Sequence, residues 1–182
     1  EEFCFLAGHE KIHQGMTSRD LTENVEQLQI RRGLEIVIDR VVASLARLSA
    51  LAVEHQDLAV VGRTHNVPAQ ITTLGKRFAS AAEELLLSYR RLTDLLHSYP
   101  LRGVKGPVGT QQDQLDLFAG DNQKVAELEQ IVATYLGFEK VFTSVGQVYP
   151  RSLDFEVVSS LLQTASAQSN LAHTIRLMAG HG

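Results

Sequence analysis

Hydrophobic residues recur at the three- and four-residue spacing of an amphipathic helix along four stretches of the chain. The longest stretch covers residues 21–55, and its stripe consists of Leu34, Ile38, Val41, Leu45, Leu48 and Ala52. At 1.5 Å per residue, this helix would be about 50 Å long. Thr17 or Ser18 is predicted to cap its start, because both hydroxyls precede a turn that contains Asp20.

The remaining helices are predicted over residues 68–98, 122–136 and 153–178. Pro68 is expected to open the second helix, where its missing N–H costs little, and Gly137 is expected to end the third. The connections are predicted at residues 56–69, with a short strand at 59–62, at 101–110 and at 138–150. Long helices joined by polar loops predict an all-α fold, a bundle of long helices.

The composition agrees with a helical fold and argues against several classes of protein. Hydrophobic residues make up 44% of the 182 residues, which is enough to form a core rather than a disordered chain. The 6% aromatic content and the absence of Trp argue against a β-sandwich or barrel. The net charge of −4 argues against a nucleic-acid partner, and no apolar run in the sequence is long enough to span a membrane.

Length and cysteine usage predict the organisation of the chain and its location. Cys4 is the single cysteine, so no internal disulfide is possible and a reducing compartment, the cytoplasm, is expected. The length fits one helical domain over residues 1–182. Because the chain lacks an initiator Met and stops after a long helical pattern, we expect it to be a piece of a larger protein. Helices this long also predict association with further copies, which would bury their remaining apolar surface.

His65 is the histidine whose position best suits proton transfer. It lies in a predicted loop just before a helix, where an imidazole has an exposed edge that can exchange a proton with a substrate. A structural hydrogen-bonding role is equally compatible with that position. His9 and His13 are four residues apart, but no third ligand follows at a metal-like spacing, so no metal site is predicted.

Three further segments have both a functional and an ordinary structural interpretation. Thr17 and Ser18, at a helix start, could hold a carboxylate or phosphate, or could simply cap the helix. The glycine-rich residues 102–110 contain two cations and could approach a ligand, although an ordinary loop between helices is the default. Residues 147–151 could form a capping turn before the last helix. None of these signals is specific alone.

Together, four segments resemble the fumarase/aspartase superfamily. They are residues 13–20, His-Gln-Gly-Met-Thr-Ser-Arg-Asp; residues 62–77, which begin Gly-Arg-Thr-His and end Gly-Lys-Arg; residues 102–106, Arg-Gly-Val-Lys-Gly; and residues 147–151, Gln-Val-Tyr-Pro-Arg. Their amino-acid sequences are most similar to those of the branch of the superfamily that cleaves adenylosuccinate. The resemblance covers essentially the whole chain, as the central helical domain of such an enzyme.

The resemblance implies a carbon–nitrogen lyase that eliminates fumarate from adenylosuccinate to give AMP. It also implies the same cleavage of the succinylated imidazole carboxamide ribotide of purine biosynthesis. No cofactor and no metal are implied. The expected partners are a small succinyl-purine substrate and further copies of the chain in a homotetramer whose subunits share active sites, with no nucleic acid and no membrane.

The resemblance also assigns roles to six residues. His65 matches the general acid, and His13 matches a second active-site histidine that lies near the substrate phosphate or assists His65. The expected substrate-binding residues are Thr17, Ser18, Thr64 and Gln147. The three hydroxyls would hold the fumaryl carboxylates, and the amide would orient the substrate.

Two departures from the family pattern limit what the chain is expected to do. Val67 stands where the family often has Gln, which removes one polar contact. The mobile serine-containing loop that supplies the family's general base does not occur in the sequence. We therefore expect the 182 residues alone to be inactive.

Alternative functions remain open at this point. One is another fumarate-releasing member of the superfamily, of the argininosuccinate lyase, carboxymuconate cycloisomerase or aspartase type. Another is a helical scaffold without catalytic activity.

Overall fold

The computed structural model describes residues 1–180, and most of them are helical. The helices are α1 (Glu2–Ala7), α2 (Ser18–Glu54), α3 (Leu74–Ser98), α4 (Gln112–Leu117), α5 (Asn122–Tyr135) and α6 (Ser152–Gly180). The strands are β1 (Ala59–Thr64) and β2 (Val67–Thr73). The prediction of a long-helix fold is confirmed, with one small sheet added, whereas the short helices α1 and α4 were not predicted.

The chain divides into two compact units. The first unit consists of Glu1–Gly33 and Ser98–Leu153, and the second consists of Leu34–His97 and Asp154–Gly182. Helix α2 contributes residues to both units, because the division falls between Gly33 and Leu34. That residues 1–182 form one domain of a larger enzyme stays a prediction.

Three long helices supply the core of the second unit. Its buried hydrophobic side chains are Leu34, Val41 and Leu48 from α2, Leu85 and Leu92 from α3, and Val157 and Ala167 from α6. Each helix places these residues on one face, as the periodicity predicts. Polar contacts add to the packing, because the Arg91 guanidinium on α3 donates hydrogen bonds to Ser159 (2.6 Å) and Gln163 (3.2 Å) on α6.

The second unit also contains a β-hairpin where a helix start was predicted. The strand expected at residues 59–62 is confirmed, but Pro68 does not open a helix: it lies in β2, paired with Arg63, and α3 begins at Leu74. A two-stranded sheet has only edge strands, and an edge strand tolerates a residue that has no N–H to donate. His65 and Asn66 connect the strands with φ angles of 48° and 64°, which are those of a tight type I′ turn.

The first unit packs shorter helices and irregular segments around a second core. Its buried hydrophobic residues are Tyr99, Leu101, Val104, Val125, Ala133, Phe138 and Tyr149. Helix α5 begins after Asp121, whose carboxylate accepts hydrogen bonds from the backbone of Gln123 and Lys124. The predicted stop of this helix at Gly137 is confirmed, since Gly137 follows it with a left-handed φ of 78°.

Within residues 1–180, no helix combines the length and the apolar character that crossing a membrane requires.

Candidate functional site

The first turns of α2 carry a stripe of polar residues that is buried in the first unit. The stripe consists of Asp20, Glu23, Asn24 and Gln27, none of which is more than 3% exposed. Their spacing places them on one face of the helix. Buried charges are costly unless they are paired and hydrogen-bonded, so the partners of this stripe define the architecture around it.

Asp20 joins the start of α2 to the glycine-rich loop. One carboxylate oxygen, Oδ2, accepts a hydrogen bond from the backbone N–H of Thr17 at 2.8 Å. The other, Oδ1, accepts from the Arg102 guanidinium at 2.6 Å and from the backbone N–H groups of Lys105 and Gly106 at 2.9 and 3.1 Å. Four donors therefore satisfy this one buried carboxylate.

Arg102 extends the same network to the segment before α6. Its side chain is fully buried, and Nη2 donates to the carbonyl oxygens of Gly106 and Gly146 at 3.0 and 3.1 Å. Its backbone N–H donates to the side-chain oxygen of Gln27 at 2.6 Å. The guanidinium thus contacts Asp20 on one side and the chain next to Gln147 on the other.

Glu23 holds the same segment from its other end. Its carboxylate accepts a hydrogen bond from the backbone N–H of Tyr149 at 3.2 Å and pairs with Arg151 at 3.1 Å. The Arg151 guanidinium also lies 4.4 Å from the centroid of the Tyr149 ring. Residues 146–151 are therefore fixed to the first turns of α2 at two points.

Both cations of residues 102–110 are engaged within the protein. Lys105 is buried and lies 2.7 Å from the carboxylate of Glu129 on α5, while Arg102 pairs with Asp20. Gly103 has a φ of 84°, and an added Cβ would lie 2.7 Å from Val141, so only glycine fits there. The structural interpretation of this loop is the one the contacts support.

The sequence-predicted residues of the first unit are more exposed than the residues of this buried network. Thr17 is half-buried immediately before α2, while Ser18, Gln147 and His13 are exposed. The side chains of these four residues have no hydrogen-bond partner among residues 1–180, in contrast to the side chain of Asp20. They are therefore available to a ligand.

Thr64 and His65 lie in the second unit, at the tip of the hairpin. Both are exposed, and no hydrogen bond of the described residues engages the His65 imidazole. His65 borders a groove of about 690 Å³, lined also by Arg63, Asn66, Arg77 and residues of α6. The expectation that His65 lies in a loop just before a helix is corrected, because the hairpin turn holds it and the seven residues of β2 separate that turn from α3.

The structure also shows residues that sequence reasoning did not assign. Asp20 was expected only in the first turn after the predicted cap, and no role was predicted for Asn24 or Gln27. The available signal was their spacing, since Asp20 and Gln27 occupy the same face of α2 as Leu34. Across residues 1–180, no three His, Cys, Asp or Glu side chains lie close enough together to hold a metal ion.

Comparison with known proteins identifies the family. A model of the family described as Lyase matches residues 5–179, nearly the whole chain. The chain belongs to this lyase family. Relatives of this lyase chain include the adenylosuccinate lyase of Saccharomyces cerevisiae, which is 42% identical over 168 residues. The adenylosuccinate lyases of Schizosaccharomyces pombe and Methanocaldococcus jannaschii are 38% and 33% identical.

These matches cover much more of this lyase chain than of its relatives. The yeast alignment covers 92% of the chain but 35% of the relative, so the chain spans about a third of that protein's length. A fumarate lyase from a Mesorhizobium species aligns with a TM-score of 0.80 over 98% of the chain and 44% of that structure. At 22% identity this neighbour shows the fold alone, and that fold agrees with the predicted bundle of long helices.

Proposed function

We propose that the protein containing this chain is an adenylosuccinate lyase and that residues 1–182 form part of its central helical domain. It would eliminate fumarate from adenylosuccinate to give AMP, and from succinylaminoimidazole carboxamide ribotide in purine biosynthesis. The observation that carries this proposal is the 42% identity to a yeast adenylosuccinate lyase over 92% of the chain.

The reaction requires two proton transfers. A base removes a proton from the succinyl carbon next to a carboxylate, the carbon–nitrogen bond breaks, and an acid protonates the departing nitrogen. His65 is proposed as the acid, since its imidazole is exposed at a hairpin tip and has no hydrogen-bond partner among the described residues. We expect the base to come from the part of the protein beyond this chain.

Fixed donors would bind the charged groups of the substrate. Thr17 and Ser18 stand at the N-terminal end of a 37-residue helix, where the helix dipole favours a carboxylate. Thr64 would add a third hydroxyl and Gln147 an amide that orients the substrate. His13 is proposed as a second active-site histidine, close to the phosphate or assisting His65.

A homotetramer with shared active sites is part of the proposal. In the second unit, α2 and α6 leave large apolar side chains exposed, among them Ile36, Val42, Val158 and Leu162. Exposed apolar surface of this kind favours association with further copies. A sedimentation experiment that shows a well-folded monomer at micromolar concentration would refute the tetramer.

A cytoplasmic location is proposed with it. Cys4 is a free cysteine, which is compatible with a reducing compartment.

The test is turnover of adenylosuccinate by the full-length protein, followed through the absorbance change of the purine. We expect His65→Ala to lower kcat by at least about a hundredfold, because a positioned general acid contributes that much or more. His97→Ala, an exposed histidine in the last turn of α3, is the matched control and should retain wild-type turnover. Wild-type protein that acts only on another succinyl-type substrate would refute the substrate assignment, and an active His65→Ala variant would refute the acid.

A further inference from the structure

We infer that the buried Asp20–Arg102 ion pair is a positioning device that holds two substrate-binding segments, Thr17–Ser18 and the segment around Gln147, in one fixed arrangement. The inference rests on the proposed function. It assigns a role to residues that do not themselves touch the substrate, and it follows from the contacts of the first unit.

Two hydrogen bonds join Asp20 to the residue that precedes α2. Thr17 and Asp20 bond reciprocally, since Thr17 N–H donates to Oδ2 at 2.8 Å and Asp20 N–H donates to the Thr17 carbonyl at 3.0 Å. This arrangement satisfies the Thr17 backbone through Asp20 and does not use the Thr17 hydroxyl. Asp20 thereby fixes the backbone that carries the Thr17 and Ser18 hydroxyls and leaves both hydroxyls available to a carboxylate.

The forked guanidinium of Arg102 joins the start of α2 to the segment around Gln147. Its two terminal nitrogens point to different segments, with Nη1 2.6 Å from Asp20 Oδ1 and Nη2 3.1 Å from the carbonyl oxygen of Gly146. Gly146 directly precedes Gln147, so a rigid planar group spans the two segments. A lysine ammonium keeps the charge but lacks this fork, and one lysine cannot reproduce both bonds with the same geometry.

Burial and a further hydrogen bond prevent the two segments from moving relative to the ion pair. Asp20 and Arg102 both have fully buried side chains. On the far side of Gln147, the Tyr149 N–H is held at 3.2 Å by Glu23, one turn along α2 from Asp20. Movement of either segment therefore breaks a buried, charge-assisted hydrogen bond, and such a loss is costly where water cannot replace the partner.

The test compares Arg102→Lys and Asp20→Asn with wild type in the full-length protein. We expect both variants to raise the inhibition constant of fumarate at least about tenfold, because tenfold corresponds to one lost well-placed hydrogen bond to a charged group. The inhibition constant of AMP should change less than about twofold, because the Thr17 and Ser18 hydroxyls are proposed to bind the fumaryl carboxylates, which AMP lacks. A merely structural role would reduce the fraction of active enzyme and lower kcat while both inhibition constants stay at wild-type values, which would overturn the inference.

The matched control is Lys105→Gln, which removes the other buried ion pair of the same loop. Lys105 pairs through Nζ with Glu129 and touches neither Thr17 nor Gly146 through its side chain. We expect its fumarate inhibition constant to remain at the wild-type value, even if its stability falls. A rise equal to that of Arg102→Lys would show that any damage to the loop has this effect and would overturn the inference.

Amide hydrogen exchange gives a second readout that does not depend on turnover. In Arg102→Lys, residues 17–20 and 146–149 should lose protection together, whereas Lys105→Gln should leave both segments protected. If wild-type protein fails to cleave adenylosuccinate, the proposed function fails and the exchange result still decides the positioning role. Independent loosening of only one segment would overturn it.

Discussion

Substitution by alanine is expected to have opposite effects on stability at Gly75 and at Gly33. Gly75 lies in the first turn of α3 and approaches the end of α2 closely, so that an added Cβ would lie 2.8 Å from the backbone nitrogen of Gln56 and closer still to the carbonyl oxygen of Ala52. Gly33 lies in the interior of α2 and an added Cβ there meets nothing within 4 Å. Alanine should therefore destabilise at one position and stabilise at the other.

The expected magnitudes follow from these contacts. At Gly75 the obstacles are backbone atoms, and two backbone hydrogen bonds at 2.9 Å, Leu74 N–H to Leu58 and Gly75 N–H to His55, prevent the helix start from moving away. Overpacking costs about 1–3 kcal/mol, and one broken backbone hydrogen bond adds about 1 kcal/mol. Gly33→Ala should stabilise by about 0.5–1 kcal/mol through helix propensity.

The assay is urea-induced unfolding of both full-length variants beside wild type, followed by far-ultraviolet circular dichroism. The midpoint should fall for Gly75→Ala and rise slightly for Gly33→Ala, with unchanged slopes. Gly75→Ala as stable as Gly33→Ala would refute the close backbone approach between α2 and α3.

Three other substitutions test the turn, the core and the buried network. Asn66→Val should destabilise the hairpin by about 1–2 kcal/mol because a β-branched residue resists a φ of 64°, whereas Asn66→Gly should be neutral or stabilising; amide exchange across β1 and β2 measures both. Leu92→Ala should cost about 2–5 kcal/mol in urea unfolding, since Leu92 is fully buried. Gln27→Leu should cost about 1–3 kcal/mol in the same assay, because it leaves the Arg102 N–H and the Pro100 carbonyl oxygen without their 2.6 and 3.0 Å partners. Wild-type exchange in Asn66→Val, or wild-type unfolding midpoints in the other two, would contradict these assignments.

The long helices could be predicted from the sequence because their apolar stripes are periodic over many turns. The first was predicted over residues 21–55 and observed as Ser18–Glu54, and the last was predicted over 153–178 and observed as Ser152–Gly180. Every residue of a stripe indicates the same buried helix face, so one residue that departs from the pattern does not change the predicted helix. The ends depend on single caps and are less well determined.

The hairpin could not be predicted as well, for a local reason. The apolar stripe that predicts the second helix starts with Leu74, Phe78 and Ala81, and the helix also begins at Leu74. Pro68 was nevertheless assigned to the helix, because proline is favoured at the first helical position. The turn between the strands, His65-Asn66, lacks the glycine that most strongly marks a two-residue hairpin. Because that glycine is missing, the residues of β2 were assigned partly to a connection and partly to the second helix.

The buried network escaped prediction because its partners lie far apart in the sequence. Asp20 and Arg102 are 82 residues apart, and Glu23 and Arg151 are 128 residues apart. A polar stripe at the start of a helix is usually solvated, and nothing local distinguishes one that meets a buried arginine. Asp20, Arg102 and Arg151 were present in the segments that indicated the family, but the family resemblance assigned roles only to other residues.

Substitutions at Thr17 or Ser18 and substitutions at the buried Asp20 are expected to lower turnover in different ways. Thr17 and Ser18 use no side-chain hydrogen bond within the described chain, so Thr17→Val and Ser18→Ala should remove ligand contacts and change stability by less than about 1 kcal/mol. Asp20, three residues further on, is bonded to four donors, and its loss leaves the buried Arg102 charge unpaired at a cost of about 3–5 kcal/mol. Equal losses of turnover at Thr17 and Asp20 would therefore come with unequal losses of stability, because Thr17 acts through its own contact with the ligand and Asp20 through the backbone that it positions. Unfolding measurements on the same variants distinguish the two.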